Sequence, residues 1–472
     1  MSIDFTLLLP EFLLAGLAFL VLGLDLALPA RWENKRNGLT GATAALGMLG
    51  VMLFAVFDLR DTHEVLYGGI YFVDRFSLLF KVVFLAASIA VVLMSIDYVG
   101  RKMRHPGEYY AMIVFSALGA VMMSASGELL TAYVALELLA FSLYVLVGLT
   151  RGDGRTAEAS AKYVLLGALS SAVLLFGIAL LYGTLGATVF REIAGPLSQN
   201  DTATTALGFT MVAAGLGFKL AAVPFHMWTP DVYEGAPTPV TAHLSVLSKA
   251  ATFALLLRFL AEAAGSSFGS WQLALAILAA LTILVGTLVA LAQTNIKRLF
   301  AYSSIAQVGF VLVGVAALGD AGGVVSNHAA ASAVVLHLVG YAFTNLAAFT
   351  ALIIVETHAE REEITGYAGL ASRSPVTAMA LTAALLSLAG LPIFAGFVTK
   401  FYLFTVAAEA GLLWLVVIAT IASLVSLYYY LQVVKGAGRC PAPRAPEQSH
   451  AADALRGHGV RGRLPRPHPG RD

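Results

Sequence analysis

Five ionisable side chains lie inside long apolar stretches of the sequence, where a charge is costly. They are Glu137, Lys162, Lys219, Lys249 and Lys400. A charged residue at the centre of a membrane helix costs about 2.5–3.5 kcal/mol on insertion scales, so such residues usually face protein or water and serve a function. A carboxylate near a buried lysine changes how readily the lysine holds a proton. The chemistry that these residue types predict is therefore proton transfer.

Depth within the apolar stretch separates the buried charges into two groups. Lys219 lies about fifteen residues and Lys249 about ten residues from the start of its stretch, too deep to reach the membrane surface. Glu137 lies about eight residues into another stretch, and we predict that it is the counter-ion of this region. A buried ion pair with a structural role is the alternative. Lys81 and Arg258 lie within two turns of a stretch end and are predicted to extend to the interface.

Two further polar groupings leave alternatives open. Lys162 follows Glu158 by four residues, which predicts an ion pair at the interface or a step between the surface and the deeper lysines. His337, Tyr341 and Asn345 recur every four residues and form one polar stripe on an otherwise apolar helix. Such a stripe indicates either hydrogen bonds between helices or the wall of a water-filled path.

Glycine and proline interrupt two of the stretches close to their lysines. Pro224 follows Lys219 closely, with His226 just beyond it. The other stretch is interrupted ahead of Lys400 by Gly390, Pro392 and Gly396. Two interrupted spans with internal lysines are typical of a transporter built from two repeats, with its sites near the breaks. A packing kink in each helix is the alternative.

Composition defines the elements that must position these residues. The chain has 472 residues, of which 59% are hydrophobic and only 12% are charged, which excludes a soluble protein. Because backbone groups in lipid must be satisfied internally, the sequence predicts an all-α, polytopic membrane helical bundle. Its single cysteine, Cys440, excludes a disulfide framework and an iron–sulfur centre built from this chain alone. We predict thirteen spans at 5–28, 38–58, 76–98, 109–126, 129–150, 161–186, 204–229, 239–260, 272–293, 299–319, 327–356, 375–405 and 410–434.

Basic residues predict the orientation of these spans. Twelve of the 29 Lys and Arg residues lie in the connections after spans 1, 3, 5, 9 and 11, whereas only Arg60, Arg75 and Arg191 lie in the connections on the opposite side. The positive-inside rule then places the N-terminus outside.

Several segments resemble one family of membrane proteins. They are PEFLLAG at 10–16, EASAKYVLLGALSSAVLLFGIALLYG at 158–183, residues 217–258 beginning GFKLAAVPFHMWTPDVYEGAP, QTNIKRLFAYSSIAQVGF at 293–310 and LAGLPIFAGFVTKFYLF at 388–404. They resemble the antiporter-like membrane subunits of bacterial respiratory complex I, and the subunit N group in particular. The wider family includes the Mrp-type sodium/proton antiporters, which are the alternative assignment.

The resemblance implies a fold, partners and a site. It implies fourteen helices with two inverted five-helix repeats, broken at helices 7 and 12. Accordingly we expect N-terminal helices at 1–108, the two repeats at 109–260 and 272–435, and a tail at 436–472. NADH, FMN, iron–sulfur clusters and quinone would be bound by other subunits, with none in this chain, and the partners would be other membrane-arm subunits in the bacterial inner membrane, including sister antiporter-like subunits. The five charged residues match the family's proton-transfer positions, with Pro224, His226, His337, Tyr341 and Pro392 in supporting positions.

Residues 436–472 break the pattern of the preceding chain. They hold seven Arg, six of the sixteen Pro and three of the ten His, with no apolar run, so they cannot supply the fourteenth helix that the resemblance implies. A basic cytoplasmic extension is one explanation. A reading-frame shift near codon 436 is the one we favour, with the tail unpacked and a groove exposed to lipid in either case.

The first prediction concerns this tail. The intact mass of the natural protein should differ from the mass of the 472-residue chain, and resequencing around codon 436 should locate the shift. A measured mass that equals the 49.6 kDa of this sequence would exclude the frameshift.

Overall fold

The apolar stretches form helices, because a backbone in lipid has only itself for hydrogen bonding. The computed structural model describes residues 5–29, 32–150, 154–197, 202–264, 269–318, 327–359 and 362–438. The helices are α1 (Leu9–Ala27), α2 (Glu33–Asp58), α3 (Arg75–Lys102), α4 (Pro106–Ala125), α5 (Leu129–Val147), α6 (Gly154–Leu185), α7 (Phe190–Leu197), α8 (Ala203–Leu220), α9 (Trp228–Gly235), α10 (Thr238–His243), α11 (Lys249–Phe259), α12 (Gly269–Ala290), α13 (Ile296–Ala316), α14 (Asn327–Ala359), α15 (Leu370–Arg373), α16 (Pro375–Ala389), α17 (Ala395–Glu409) and α18 (Leu413–Gly438).

The predicted spans are recovered in this helix order. Within the described ranges, twelve helical segments are long and apolar enough to cross a membrane, and they correspond to predicted spans 1–11 and 13. Span 12 is divided into α16 and α17, and span 7 into α8 and α9. The all-α membrane bundle and both predicted breaks are therefore confirmed.

Local sequence signals fix several helix starts. Asp74 caps α3 by accepting a hydrogen bond from the backbone N–H of Ser77 at 2.8 Å, while the Ser77 hydroxyl accepts from the N–H of Asp74 at 3.0 Å. The amide oxygen of Asn295 accepts from the second and third N–H groups of α13, those of Lys297 and Arg298. Pro106 and Pro375 begin α4 and α16, where a missing N–H costs nothing. These caps satisfy donors that lipid could not.

Close helix packing relies on glycine at matching places in the two halves of the chain. A Cβ at Gly119 of α4 would lie 2.6 Å from the backbone nitrogen of Leu139 in α5. A Cβ at Gly286 of α12 would lie 2.5 Å from the backbone nitrogen of Ala306 in α13. Each glycine therefore lets two backbones approach more closely than any other residue would. The helices concerned are the first pair in each of the two repeats expected from sequence.

A two-stranded hairpin interrupts the helical pattern between α2 and α3. Strand β1 (Glu64–Leu66) pairs antiparallel with β2 (Tyr71–Val73). The hairpin packs on the α4–α5 turn, where the Gly127 N–H donates to the Ile70 carbonyl at 2.8 Å. We call this end of the bundle the hairpin face. The opposite end, where Lys102, Lys162 and Lys297 lie, is called the basic face.

Lys81 and Arg258, which were predicted to extend to the interface, are buried within the bundle in ion pairs. The side chains of both residues are 5% exposed or less. The Lys81 ammonium contacts Oε1 of Glu11 at 2.7 Å, and Arg258 contacts the carboxylate of Asp74 at 2.9 Å. Each carboxylate belongs to a different element from its partner, and the sequence distance between partners hid this pairing.

The C-terminal end of the chain is only partly described. Helix α18 continues to Gly438, three residues past the expected boundary at 435, and Ala437 is buried. Residues 439–472 lie outside the described residues, so the predictions about the tail stay predictions.

Candidate functional site

The break in span 7 places Lys219 at a helix end in the interior. Helix α8 stops one residue after Lys219, where Ala221 adopts a left-handed conformation with φ of 63°. The chain then runs through the exposed Pro224 and resumes at Trp228. The Trp228 indole N–H donates to the carbonyl of Phe218 at 3.0 Å, which satisfies one of the groups that the break leaves without a helical partner.

Lys219 is held by a tyrosine. Its ammonium group donates to the hydroxyl of Tyr144 at 3.2 Å, and the residue is 5% exposed. Glu137 and Lys219, both of which the structure describes, form no ion pair within 4.0 Å. Instead, Oε1 of Glu137 accepts a hydrogen bond from the Ser171 hydroxyl at 2.5 Å. Glu137 is therefore not in direct contact with Lys219, and its role as the counter-ion of this region stays a prediction.

Tyr144 places its hydroxyl beside Lys219 through two sequence features. Tyr144 lies seven residues after Glu137 on α5, which is close to two helical turns, so both side chains share one face. Gly167 of α6 gives the ring its space, because a Cβ there would lie 2.0 Å from the tyrosine hydroxyl. Sequence reasoning missed Tyr144, and the spacing from Glu137 is the signal that identifies it.

Lys249 begins α11 directly after an irregular turn of span 8. Residues Leu244–Ser248 form a π-helical turn, a feature frequent at functional sites. The Lys249 ammonium donates to the Ser304 hydroxyl on α13 and lies 5.5 Å from the centre of the Tyr233 ring. Lys249 is 3% exposed. Its polar partner is again a neutral hydroxyl.

Ser304 joins Lys249 to the polar stripe on α14. The Ser304 hydroxyl lies 2.8 Å from the Tyr341 hydroxyl and 3.4 Å from the Tyr233 hydroxyl. Sequence reasoning missed Ser304, although paired serines in the otherwise buried α13 are the available signal. The stripe therefore makes hydrogen bonds between helices, which was one of its two interpretations.

The other two stripe residues are bonded in the same way. His337 Nδ1 lies 2.9 Å from the Thr399 hydroxyl, and the Asn345 amide donates to the Ser245 hydroxyl at 2.5 Å. The second ring nitrogen of His337, Nε2, is buried and has no hydrogen-bond partner in the structure. Thr399 directly precedes Lys400 in α17, so the stripe runs from the Lys249 site to the Lys400 site.

The break in span 12 gives Lys400 a carbonyl partner. Helix α16 ends at Ala389, and Gly390 takes a left-handed conformation with φ of 86°. The Lys400 ammonium donates to the carbonyl of Leu388, in the last turn of α16, at 2.8 Å and to the Ser423 hydroxyl at 3.1 Å. Its nitrogen also lies 4.3 Å from the centre of the Phe310 ring.

The remaining predicted residues lie apart from these three lysines. Lys162 is at the basic face with its side chain 40% exposed, and it contacts Glu158 at 2.7 Å and Asp231 at 2.6 Å. The predicted interfacial pair with Glu158 is confirmed. His226 is half-buried beyond the span 7 break, with no partner at Nδ1. Pro392 is exposed within the span 12 break.

A cavity of about 500 Å³ opens at the basic face above Glu356. Oε1 of Glu356 accepts from Tyr98 at 3.1 Å and from Lys102 at 3.2 Å, and Oε2 accepts from Thr238. Thr238 is the first residue of α10, so the cavity ends at the start of the segment that carries Lys249. A second cavity of about 660 Å³ is lined by Lys102 and Tyr144, the partner of Lys219.

Among the described residues, no three His, Cys, Asp or Glu side chains lie together in a way that could hold a metal ion. The chemistry available to the buried row is acid–base chemistry of lysine, histidine and hydroxyl groups. A hydroxyl can accept a hydrogen bond from an ammonium group or donate one to a neutral amine, so it can partner both protonation states of a lysine.

The chain is similar in sequence to known membrane proteins. Residues 126–426 match a family described as NADH:quinone oxidoreductase/Mrp antiporter, TM. NADH-quinone oxidoreductase subunit N of Desulforamulus reducens is 44% identical over 407 residues, covering 86% of this chain and 82% of that protein.

Two solved structures share the fold. A chain of respiratory complex I from Thermus thermophilus has a TM-score of 0.75 and 33% identity, covering 92% of this chain and 91% of that one. A chain of the Mrp complex from a Dietzia species has a TM-score of 0.80 but 23% identity, covering 92% of this chain and 81% of that one, and shows the fold alone.

The second prediction tests the Glu356 network. Glu356→Ala should lower the free energy of unfolding by about 2 kcal/mol, because it removes the carboxylate from Lys102 and leaves two buried hydroxyl groups without their acceptor. The measurement is denaturant unfolding of the purified protein in detergent. The matched control is Asp61→Ala, which removes an exposed carboxylate 4.0 Å from Arg60 and should change stability by less than about 0.5 kcal/mol. Equal stability of the two variants would contradict this account.

Proposed function

Because the chain belongs to the NADH-quinone oxidoreductase subunit N family, we propose that it moves protons across a bacterial inner membrane as a membrane-arm subunit of NADH:quinone oxidoreductase. Electron transfer from NADH to quinone takes place in other subunits, which hold the FMN, the iron–sulfur clusters and the quinone. This chain is a translocase subunit, and its partners are the other membrane-arm subunits, among them sister antiporter-like subunits.

One observation carries the proposal, namely the row of buried lysines joined by hydroxyl groups. Lys249 contacts Ser304, which contacts Tyr341 on α14. One turn away on α14, His337 contacts Thr399, the residue next to Lys400. Proton transfer needs a donor and an acceptor within hydrogen-bond reach at each step, and these contacts supply two segments of such a chain.

We propose that protons enter this row at the basic face. One of the two cavities there is lined by Pro237, the residue before span 8, and the other by Tyr144, the partner of Lys219. Protons pass to Lys219 and Lys249, move along the α14 stripe to Lys400, and leave at the hairpin face. The positive-inside rule supports this direction, because it assigns the basic face to the cytoplasm and the start of α1 to the outside.

Glu137 is proposed to switch Lys219 through space. Its carboxylate is half-buried and shares a face of α5 with Tyr144, which binds Lys219. A carboxylate favours the protonated lysine when it is charged and near, and favours it less after it moves or takes up a proton. Because the two groups are not in direct contact, Glu137 can change its protonation state without breaking a Lys219 hydrogen bond. Lys162, paired with Asp231 at the surface, supplies protons to this region.

We assign the two repeats of the proposed transport unit to residues 109–260 and 272–435, with residues 1–108 as additional N-terminal helices. A helix break lies beside a buried lysine in each repeat. Lys219 precedes its break whereas Lys400 follows its own, so corresponding lysines do not occupy the same position along the repeat.

A subunit of a Mrp-type sodium/proton antiporter is the second candidate, supported by the shared fold. Copurification with peripheral redox subunits would favour the quinone-linked complex. Sodium-driven proton movement by a complex that lacks such subunits would favour the antiporter.

The third prediction tests the Glu137–Lys219 switch. Glu137→Ala and Lys219→Ala should each lower quinone-coupled proton pumping at least about tenfold while the complex remains assembled, because each removes a group that acts only in proton transfer. Dye-monitored proton uptake by reconstituted vesicles and a native gel measure the two properties. Lys435→Ala, at an exposed lysine of α18, is the control and should pump normally. Normal pumping in both test variants would remove this pair from the mechanism.

The fourth prediction concerns Lys400. Lys400→Ala should impair proton release at the hairpin face more than proton uptake, and Lys400→Arg should fail to restore it. Arginine keeps its charge but retains its proton at any working pH, so it cannot pass a proton on. Initial rates of proton release into vesicles compare the two variants. If the arginine variant pumps at the normal rate, Lys400 acts as a fixed charge and not as a proton carrier.

A further inference from the structure

Arg258 is a buried arginine that the proposed proton row does not use. It lies near the end of α11 at the hairpin face, and its side chain is 4% exposed. Two of its nitrogens donate to the two carboxylate oxygens of Asp74 at 2.9 Å each, and its Nε donates to the carbonyl of Ser124 at 2.8 Å. The guanidinium group is therefore fixed in one position by three hydrogen bonds.

The hairpin covers this guanidinium group with an aromatic ring. Phe72 of β2 has its ring centre 4.6 Å from the guanidinium carbon of Arg258 and 4.9 Å from that of Arg191. Gly127 lets the ring pack against the α4–α5 turn, because a Cβ there would lie 2.1 Å from Phe72. Arg191 is in turn bonded to Glu262 at 2.5 Å. The hairpin thus forms a layer over the charge.

A buried histidine lies deeper between the same elements. His243, at the end of α10, contacts the Ser116 hydroxyl on α4 at 2.7 Å through Nε2, and its Nδ1 is buried without a hydrogen-bond partner. Ser116 lies eight residues before Ser124 on α4, or about 12 Å along the helix axis. Both polar contacts of span 8 with α4 therefore lie along one seam, with His243 inside and Arg258 at the hairpin end. We call this the α4 seam.

Stability alone does not account for a charge in this place. Replacing a buried ion pair by packed apolar side chains is often neutral or stabilising. Arginine also cannot relay protons, since it does not lose its own. A fixed positive charge in a narrow path does repel protons and other cations, which is how several channels exclude them.

We propose that Arg258 is a fixed electrostatic barrier that stops protons from leaving along the α4 seam, so that they reach the hairpin face only by way of Lys400. The proposal rests on the proposed function, since it takes the proton as the ion that moves. The order of the charges suits this role. The Arg258 side chain is 4% exposed, whereas the Asp74 side chain is 26% exposed.

The protonation state of Asp74 supports a lasting contact. Burial acts to raise the pKa of Asp74, but the hydrogen bonds and charge of Arg258, together with Ser77, outweigh it and hold the pKa below its ordinary value. Asp74 lies outside the membrane spans, directly before the span that begins at Arg75. In the proposed orientation, this is the side that the pump acidifies. The carboxylate therefore stays ionised at a lower pH than an ordinary aspartate would, and it keeps holding the guanidinium group.

The test is the passive proton leak of vesicles that contain the assembled complex, without NADH. A potassium diffusion potential drives protons inward, and a trapped pH dye reports their rate. Arg258→Gln should raise the leak by about tenfold, because it removes the charge from the path. Adding His243→Leu to Arg258→Gln should return the leak close to the wild-type rate, since the seam then lacks its inner proton acceptor. Arg60→Gln, at an exposed arginine, is the control and should not leak.

Two outcomes with the Arg258→Gln variants would overturn the proposal. One is an Arg258→Gln complex that is as tight as the wild type. The other is a leak that persists unchanged in the double variant, which would indicate loosened packing. If Arg258→Gln fails to assemble, Arg258→Lys decides the question, because it retains the charge but loses the two-pronged contact, and it should remain tight. A leaky lysine variant would also overturn the barrier. No measurement here depends on pumping, so normal pumping in the Glu137 and Lys219 variants would count against the proposed function alone.

Discussion

The free-energy cost of keeping ammonium groups out of water is the constraint on which this structure depends. Lys219, Lys249 and Lys400 are each 5% exposed or less, and each donates to a hydroxyl group or a backbone carbonyl rather than to a carboxylate. The end of α16 supplies part of this solvation, because it frees the carbonyl of Leu388, which a continuous helix would bond internally and which accepts from Lys400. The break in span 12 and the burial of Lys400 are therefore linked.

The buried charges are of two kinds, which differ in the group that each charge contacts. Lys81, Arg258 and Lys102 contact carboxylates at the two faces of the bundle, which fixes both charges of each pair. The three lysines of the central row contact groups that are neutral. A hydroxyl serves as donor or acceptor, so a lysine beside it keeps a hydrogen bond in either protonation state. Charges that are paired with carboxylates thus lie towards the two faces of the bundle. The lysines that are bonded to hydroxyl groups lie along the proposed proton route.

Span 8 connects both kinds of charge along a single membrane crossing. It starts at Thr238 on the Glu356 carboxylate, passes His243 and Lys249, and ends near Arg258. The π-helical turn before Lys249 alters the rotation of everything that follows it. Lys249 faces α13 in consequence of this local geometry, while His243 and Arg258 both contact α4. One helix therefore takes part in the central row on one side and in the α4 seam on the other.

The sequence by itself determined the spans, the two breaks and the lysines beside them, because apolar length, proline and the cost of a buried charge act locally along the chain. It determined neither the hairpin nor the π-helical turn, and it did not identify the residues that Lys81, Arg258 and Glu137 contact. The residues that form these contacts are far apart in sequence. The separation is 75 positions for Lys219 and Tyr144 and 184 positions for Arg258 and Asp74. Which side chains meet depends on how each helix is rotated and on where glycine lets two helices approach. Only the packed tertiary structure fixes those relations, so only the structure shows which charges are paired and which are held by hydroxyl groups.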